Sequence, residues 1–229
     1  MAEMMDEPNK IRVIAADDSE FMREAYKSLF QDQEEIEIVG TASDGEEAVI
    51  LAEVLQPQIA ILDIQMPKMN GLEAAKQMES INPGMGLVVI SSFDNTQYIL
   101  EFLRDRPVGK GYLLKASLGA VNDFVRTIKA VAKGWTVLDP QIARKLLEYH
   151  AARASSFLAP LNDLQREVFL RIVEGYEDED ILESGSLAPE GVDAQVNEIY
   201  ERIGLSRDGQ HQRRVEAVLA FLSQTMQGR

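Results

Sequence analysis

One stretch constrains this chain more than any other: Ile59-Ala60-Ile61-Leu62-Asp63-Ile64-Gln65-Met66-Pro67-Lys68-Met69-Asn70-Gly71. A near-continuous apolar run that ends in one carboxylate, then a loop closed by Pro and Gly, reads as a central parallel strand. Such strands are buried on both faces, and their functional groups emerge at the carboxyl edge. A lone acid there can simply cap the next turn. A second run changes the weight of it, because Ile11-Arg12-Val13-Ile14-Ala15-Ala16 also leads into carboxylates, Asp17 and Asp18. Two parallel strands ending this way put three carboxylates at one rim. Like charges so close need a cation, and a hard divalent ion such as Mg²⁺ suits oxygen ligands.

From Ile11 to about Lys133, short apolar runs alternate with amphipathic stretches, the pattern of βαβ units around a parallel sheet. The expected strands are Ile11 to Ala16, Ile36 to Thr41, Ile59 to Leu62, Leu87 to Ser91 and Gly111 to Leu114. Helices are expected over about Glu20 to Phe30, Gly45 to Leu55, Gly71 to Met78, Thr96 to Leu103 and Gly119 to Val131. Right-handed crossovers then give a doubly wound α/β domain with helices on both faces. Two more groups fall at strand ends, the Ser91 hydroxyl and the Lys115 ammonium. Acids to hold a cation, a carboxylate to attack phosphorus, and a hydroxyl and ammonium for phosphoryl oxygens form a coherent set. Any one of them taken alone reads more readily as an ordinary loop or capping residue than as part of a site; the five in register are not easily had by accident. Tyr112 reads equally as core, surface filler or packing switch.

Gly134 to Leu138 breaks the rhythm, with Asp139 as a cap and Pro140 in the first turn of a helix to about His150. The Ala- and Ser-rich stretch from Ala151 to Pro160 reads as the end of a linker spanning 134–160. Beyond it the period is helical throughout, with helices over Leu161 to Glu174, Glu177 to Glu183, Pro189 to Ile203 and about Gln210 to Thr225. Ser184-Gly185-Ser186 is a short turn of the helix-turn-helix kind. The expected class is therefore α/β plus all-α.

Charge bears on the partner. Net charge is −15, with 24 acids and 16 bases up to residue 154 and 14 acids against 7 bases, all Arg, beyond it. Neither part has the basic balance through which nucleic-acid binders gain affinity. There is no cysteine, no apolar run of membrane-spanning length, and the first ten residues are acidic, so a cytoplasmic protein with no membrane association is expected.

The stretches Ile11-Arg12-Val13-Ile14-Ala15-Ala16-Asp17-Asp18-Ser19, Ala42-Ser43-Asp44-Gly45-Glu46-Glu47-Ala48, Leu62 to Ala75 and Gly111-Tyr112-Leu113-Leu114-Lys115 together resemble the receiver domain of two-component response regulators. The resemblance covers residues 10–133 and implies a (βα)5 sheet in the order 2-1-3-4-5. It implies that Asp63 is the phosphoacceptor of a histidine kinase, with Lys115 and Ser91 at the phosphoryl group and Ser91 and Tyr112 as a switch pair. It implies a Mg²⁺ site formed by Asp18, Asp63 and the backbone carbonyl of Gln65, with Asp17 supporting through water. Self-association on activation is a further implication. The pattern departs at Arg104 to Lys110, longer than the compact turn usual there.

Residues 161–225 resemble the four-helix LuxR/NarL-type helix-turn-helix output domain, carried by apolar positions and glycines. There the third helix enters the major groove with basic side chains, whereas Val192-Asp193-Ala194-Gln195-Val196-Asn197-Glu198 is acidic. Asp193 and Val196 stand where bases are common, and Glu198, Glu201 and the run Glu177 to Asp180 add negative charge. Gln195 and Asn197 can read adenine edges, and Arg202, Arg207, Arg213 and Arg214 are candidates for phosphate. Three outputs stay open: transcription control through DNA, a degenerate helix-turn-helix domain that binds an unknown protein, and a structural cap. An aspartyl-phosphate phosphatase is disfavoured, because a general acid often lies two residues after the nucleophile and Gln65 cannot serve as one. No enzyme activity is expected beyond slow self-dephosphorylation.

Overall fold

The computed structural model describes residues 10–92, 94, 96–103, 105–119, 121–151, 157–183, 192–205 and 210–226. The first half alternates β1 (Ile11–Ala16), α1 (Glu20–Phe30), β2 (Ile36–Ala42), α2 (Gly45–Leu55), β3 (Ile59–Asp63), α3 (Gly71–Ile81), β4 (Gly86–Ser91), α4 (Thr96–Leu103), β5 (Lys110–Leu114) and α5 (Val121–Ala132). Then come β6 (Val137–Leu138), α6 (Pro140–Ala151), α7 (Asp163–Val173), α8 (Asp178–Glu183), α9 (Val192–Arg202) and α10 (Gln210–Met226).

All strand pairs are parallel, in the order β2-β1-β3-β4-β5-β6. The 2-1-3-4-5 order expected from the resemblance is present. The sixth strand is a departure, since Val137 and Leu138 pair with Gly111 and Tyr112 where the sequence reading had only a break before a helix. Two residues are too few to display an alternation, so periodicity has nothing to register there.

Each sheet face buries its own apolar set. On one, Tyr26 and Phe30 of α1 meet Phe124 and Ile128 of α5, with the Phe30 and Phe124 rings 5.2 Å apart. Each such ring, fully buried, contributes roughly 1.5–3 kcal/mol. On the other, Ala48 and Ala52 of α2 and Ala74 and Ala75 of α3 are small enough to bring these helices close to the strands. That second cluster continues without interruption through Leu138, Ile142 and Leu146 to Leu158, Val168, Phe169 and Phe221. The carboxyl-terminal helices thus share a core with the sheet through α6. Phe169 and Phe221 meet edge to face at 5.2 Å, with Phe157 against both.

Local sequence explains the helix starts. Asn70 caps α3 and Asn162 caps α7, each in a reciprocal box with Glu73 and Gln165 respectively. A cap of this kind is worth about 1 kcal/mol. Gly175, in the left-handed region at φ +81°, ends the α7 region where a Cβ would stand 2.9 Å from a Val137 methyl. Among the described residues no helix is long and apolar enough to cross a membrane. The expected turn at Ser184-Gly185-Ser186, Pro189 and Arg207 lie outside the described residues.

Candidate functional site

Register assembles the rim. Ala16 pairs with Leu62, so Asp17 and Asp63 lie at neighbouring strand ends, while Asp63 pairs with Ile90 and Ser91 with Leu114. Asp63, Ser91 and Lys115 therefore sit on three adjacent strand ends. Asp17, Asp18 and Asp63 bring one carboxylate oxygen each to within 4.8 Å of one another. Asp17 and Asp63 are buried and Asp18 is exposed. Three hard oxygen donors this close, one open to solvent, fit a Mg²⁺ ion.

The Lys115 ammonium donates to Asp63 Oδ2 at 2.8 Å and lies 3.0 Å from Asp17 Oδ2. Asp17 also accepts from the Ser19 amide at 3.0 Å and the Tyr26 hydroxyl at 3.3 Å. Arg23 gathers the Asp17 and Asp18 carbonyls at 2.8 and 3.1 Å, fixing the turn that presents both acids. From sequence, Tyr26 reads only as part of the apolar face of its helix, at helical spacing from Met22, and nothing in the sequence marks Arg23.

Burial pushes the Asp63 carboxyl up from its ordinary range, and the nearby Asp17 charge adds to this. The Lys115 hydrogen bond and charge, and the Gln65 amide that donates to the same carboxylate, pull the other way. For Lys115, burial disfavours the charge, but hydrogen bonds and attraction from Asp63 and Asp17 outweigh it and raise its pKa. Tyr112 is fully buried, with its hydroxyl hydrogen-bonded to Ser91. Of the readings open for Tyr112, surface filler is ruled out.

The loop after β3 depends on two glycines. A Cβ on Gly71 would stand 2.1 Å from the Asp63 carbonyl oxygen, and one on Gly45 2.3 Å from that of Met69. Lys68, at φ 61°, reaches back to Asp44 at 2.6 Å, which holds the Asp44 carboxyl below its usual range.

A residue read from sequence only as a helix cap has a second task. Asp139 is fully buried; Oδ1 accepts from the Gln141 amide at 2.8 Å, and Oδ2 from the Leu114 amide at 3.0 Å. It thereby ties the end of β5, one residue before Lys115, to the start of α6.

The carboxyl-terminal helices correct several expectations. Val196 is core, so its place was never that of a missing surface base. Arg214 is 2% exposed, pairs with Asp178, donates to the Tyr176 carbonyl at 2.8 Å and lies over the Trp135 ring. It is therefore not available to phosphate. Arg202 is held by Glu198 at 2.7 Å and donates to the Pro160 carbonyl at 3.2 Å. Asn197 is exposed and accepts from Arg213 at 2.7 Å, and Gln195 is half-buried. Glu198 and Glu201 face solvent.

A parallel sheet in this order, with three carboxylates, a lysine and a hydroxyl at its carboxyl rim, defines a receiver domain. The response regulator receiver domain model matches residues 13–119. Transcriptional regulatory protein YxjL of Bacillus subtilis (strain 168) is 30% identical over 199 residues, 85% of this chain and 89% of that protein. Transcriptional regulatory protein DegU of Brevibacillus brevis is 27% identical over 223 residues, 90% and 92% of the two chains. The signal receiver domain of a NarL response regulator from Mycobacterium tuberculosis superposes with a TM-score of 0.51 at 29% identity, covering 56% of this chain and 99% of that one. The Salmonella typhimurium RcsB response regulator shares the fold across 92% of this chain and 97% of its own, at a TM-score of 0.53 and 19% identity. The chain belongs to the two-component response regulators, with a receiver domain followed by a divergent LuxR/NarL-type helix-turn-helix domain.

Proposed function

We propose that this protein is a phosphorylation-controlled transcription regulator in which Asp63 accepts a phosphoryl group from a histidine kinase. The observation that carries the reading is the convergence of Asp17, Asp18, Asp63, Ser91 and Lys115 on one rim. An Asp63 carboxylate oxygen attacks phosphorus, the N–P bond of the phosphohistidine breaks, and the imidazole leaves. Such a transfer asks the protein for positioning and charge neutralisation above all. A Mg²⁺ ion held by Asp18, Asp63 and the Gln65 carbonyl, with Asp17 behind it, would neutralise the charge of the phosphoryl oxygens. Lys115 then turns from carboxylate to phosphoryl oxygen, and Ser91 leaves Tyr112 to donate to another. Gln65 cannot act as a general acid, which supports a long-lived acyl phosphate and no further enzymatic role.

Loading the site would favour self-association and an altered seat for the output helices, which then engage DNA in the cytoplasm. Titrating beryllofluoride-loaded protein against pooled genomic DNA fragments, at low and at physiological salt, tests this output. Selective enrichment that survives physiological salt supports it. Absence of retention at either salt overturns it and makes the output a protein-binding one, consistent with the internal engagement of Arg202 and Arg214.

A further inference from the structure

Helix α6 and the Asp139 that caps it are fastened at three points around the phosphoryl site, to the β4–α4 loop, to the end of β5 and to the turn after β5. Lys145 pairs with Asp94 at 2.5 Å, three residues after Ser91 in the β4–α4 loop. Asp139 accepts the Leu114 amide at 3.0 Å, and its own amide donates to the Tyr112 carbonyl at 2.8 Å. Gln141 Nε2 donates to Ser117 Oγ at 3.2 Å, two residues past Lys115. The same helix buries Ile142, Ala143 and Leu146 in the cluster that contains Val168 and Phe169 of α7 and Phe221 of α10. At its surface, Arg144 pairs with Glu167 of α7 at 3.5 Å. One rigid element is thus tied to the backbone or side chains beside Ser91, Tyr112 and Lys115 on one side, and packed against the output helices on the other.

We propose that α6 is the transmission element of this protein, carrying the state of Asp63 to α7 and α10; the inference rests on the reading of Asp63 as phosphoacceptor. When Ser91 and Lys115 move toward phosphoryl oxygens, the Asp94 loop and the end of β5 move with them. A helix held to both must follow, because a close-packed interior passes displacement on rather than absorbing it. The two kinds of tie differ in kind. Asp139 is buried and accepts backbone amides, so it fixes the pivot at the start of α6. The Lys145–Asp94 pair is exposed, with side chains 67% and 54% accessible, so it is the tie that a substitution can cut without disturbing the core.

The experiment uses the full chain, Mg²⁺ and beryllofluoride, with two independent readouts. Bound beryllofluoride is followed by fluorine NMR, and the domain junction by the fluorescence of Trp135, the only tryptophan, whose ring lies beneath the Arg214 guanidinium. In the wild type, loading is expected to change the Trp135 signal. Lys145→Glu is expected to load as the wild type does while its fluorescence response falls by about two- to fivefold, the range an exposed ion pair can govern. The charge swap Asp94→Lys with Lys145→Glu is expected to restore it. A full response in Lys145→Glu at full loading overturns the proposal, as does a loaded swap that stays unresponsive, or a wild type that loads with no change at Trp135. A wild type that shows no bound beryllofluoride fails at the earlier step, and the reading of Asp63 falls with it.

Discussion

The guanidinium of Arg214 lies 4.1 Å from the centroid of the Trp135 ring, with Asp178 and the Tyr176 carbonyl completing its surroundings. This one side chain of α10 links the output helices to the end of the receiver sheet. Beside it, Arg126 of α5 stacks on Tyr176 at 3.7 Å and donates to the Glu174 carbonyl at 3.2 Å, and Lys133 pairs with Glu177 at 2.6 Å.

Removing Arg214 takes an ion-pair partner from Asp178 and a hydrogen-bond donor from the Tyr176 carbonyl. Arg214→Ala is expected to lower stability by about 3–5 kcal/mol, the cost of breaking a buried pair on one side. Urea denaturation measures it. Trp135 emission should shift to the red in the folded baseline as water reaches the ring. Arg214→Lys should rescue only part, because an ammonium neither forks nor stacks as a guanidinium does.

Gly71 has no room for a side chain. In Gly71→Ala the new methyl group would meet the Asp63 backbone at 2.1 Å, so the start of α3 must move away from the end of β3. A loss of about 1–3 kcal/mol is expected, as for other overpacked positions. Beryllofluoride binding at Asp63 should weaken in parallel; a stable variant that binds normally would show that the α3 contact does not position the site.

The pH dependence of Asp63 has a definite sign. Its carboxyl is pushed up, chiefly by burial, so the folded state holds the proton more tightly than the unfolded chain does. Its ionisation therefore opposes folding, with no penalty below the ordinary value of 3.8 and the full penalty once pH has risen through the folded-state pKa. In metal-free buffer Asp63→Asn should melt higher than the wild type at pH 7, and the gap should shrink on acidification. Millimolar Mg²⁺ should also narrow it, by binding and stabilising the folded wild type. Thermal melts with and without chelator decide.

At Asp139, replacement by Asn keeps the size but turns an NH₂ toward one of two amide donors. With one buried N–H left unpaired, Asp139→Asn should cost about 1–3 kcal/mol. Hydrogen exchange at the Leu114 and Gln141 amides would show which end of the staple opens.

How much of this was legible in the sequence depended on the kind of interaction. Apolar runs ending in Asp17, Asp63, Ser91 and Lys115 were readable because parallel strands deliver their carboxyl ends to one rim. The two-residue β6 carried no periodic signal, and Asp139 looked complete as a cap because its second partner, Leu114, lies 25 residues away. Arg214 was indistinguishable from the other arginines, since burial of a charge is decided by tertiary partners. Val196 could have been read correctly. Val196, Ile199 and Ile203 recur at helical spacing and mark the core face of this helix.

The central claim is that Asp63 takes the phosphoryl group, and intact-mass spectrometry of the full chain after incubation with acetyl phosphate and Mg²⁺ tests it most directly. The account predicts one phosphoryl adduct on the wild type, removed by hydroxylamine, and none on Asp63→Asn. An equal adduct on Asp63→Asn, or an unmodified wild type under conditions that load a receiver domain run alongside, would contradict it.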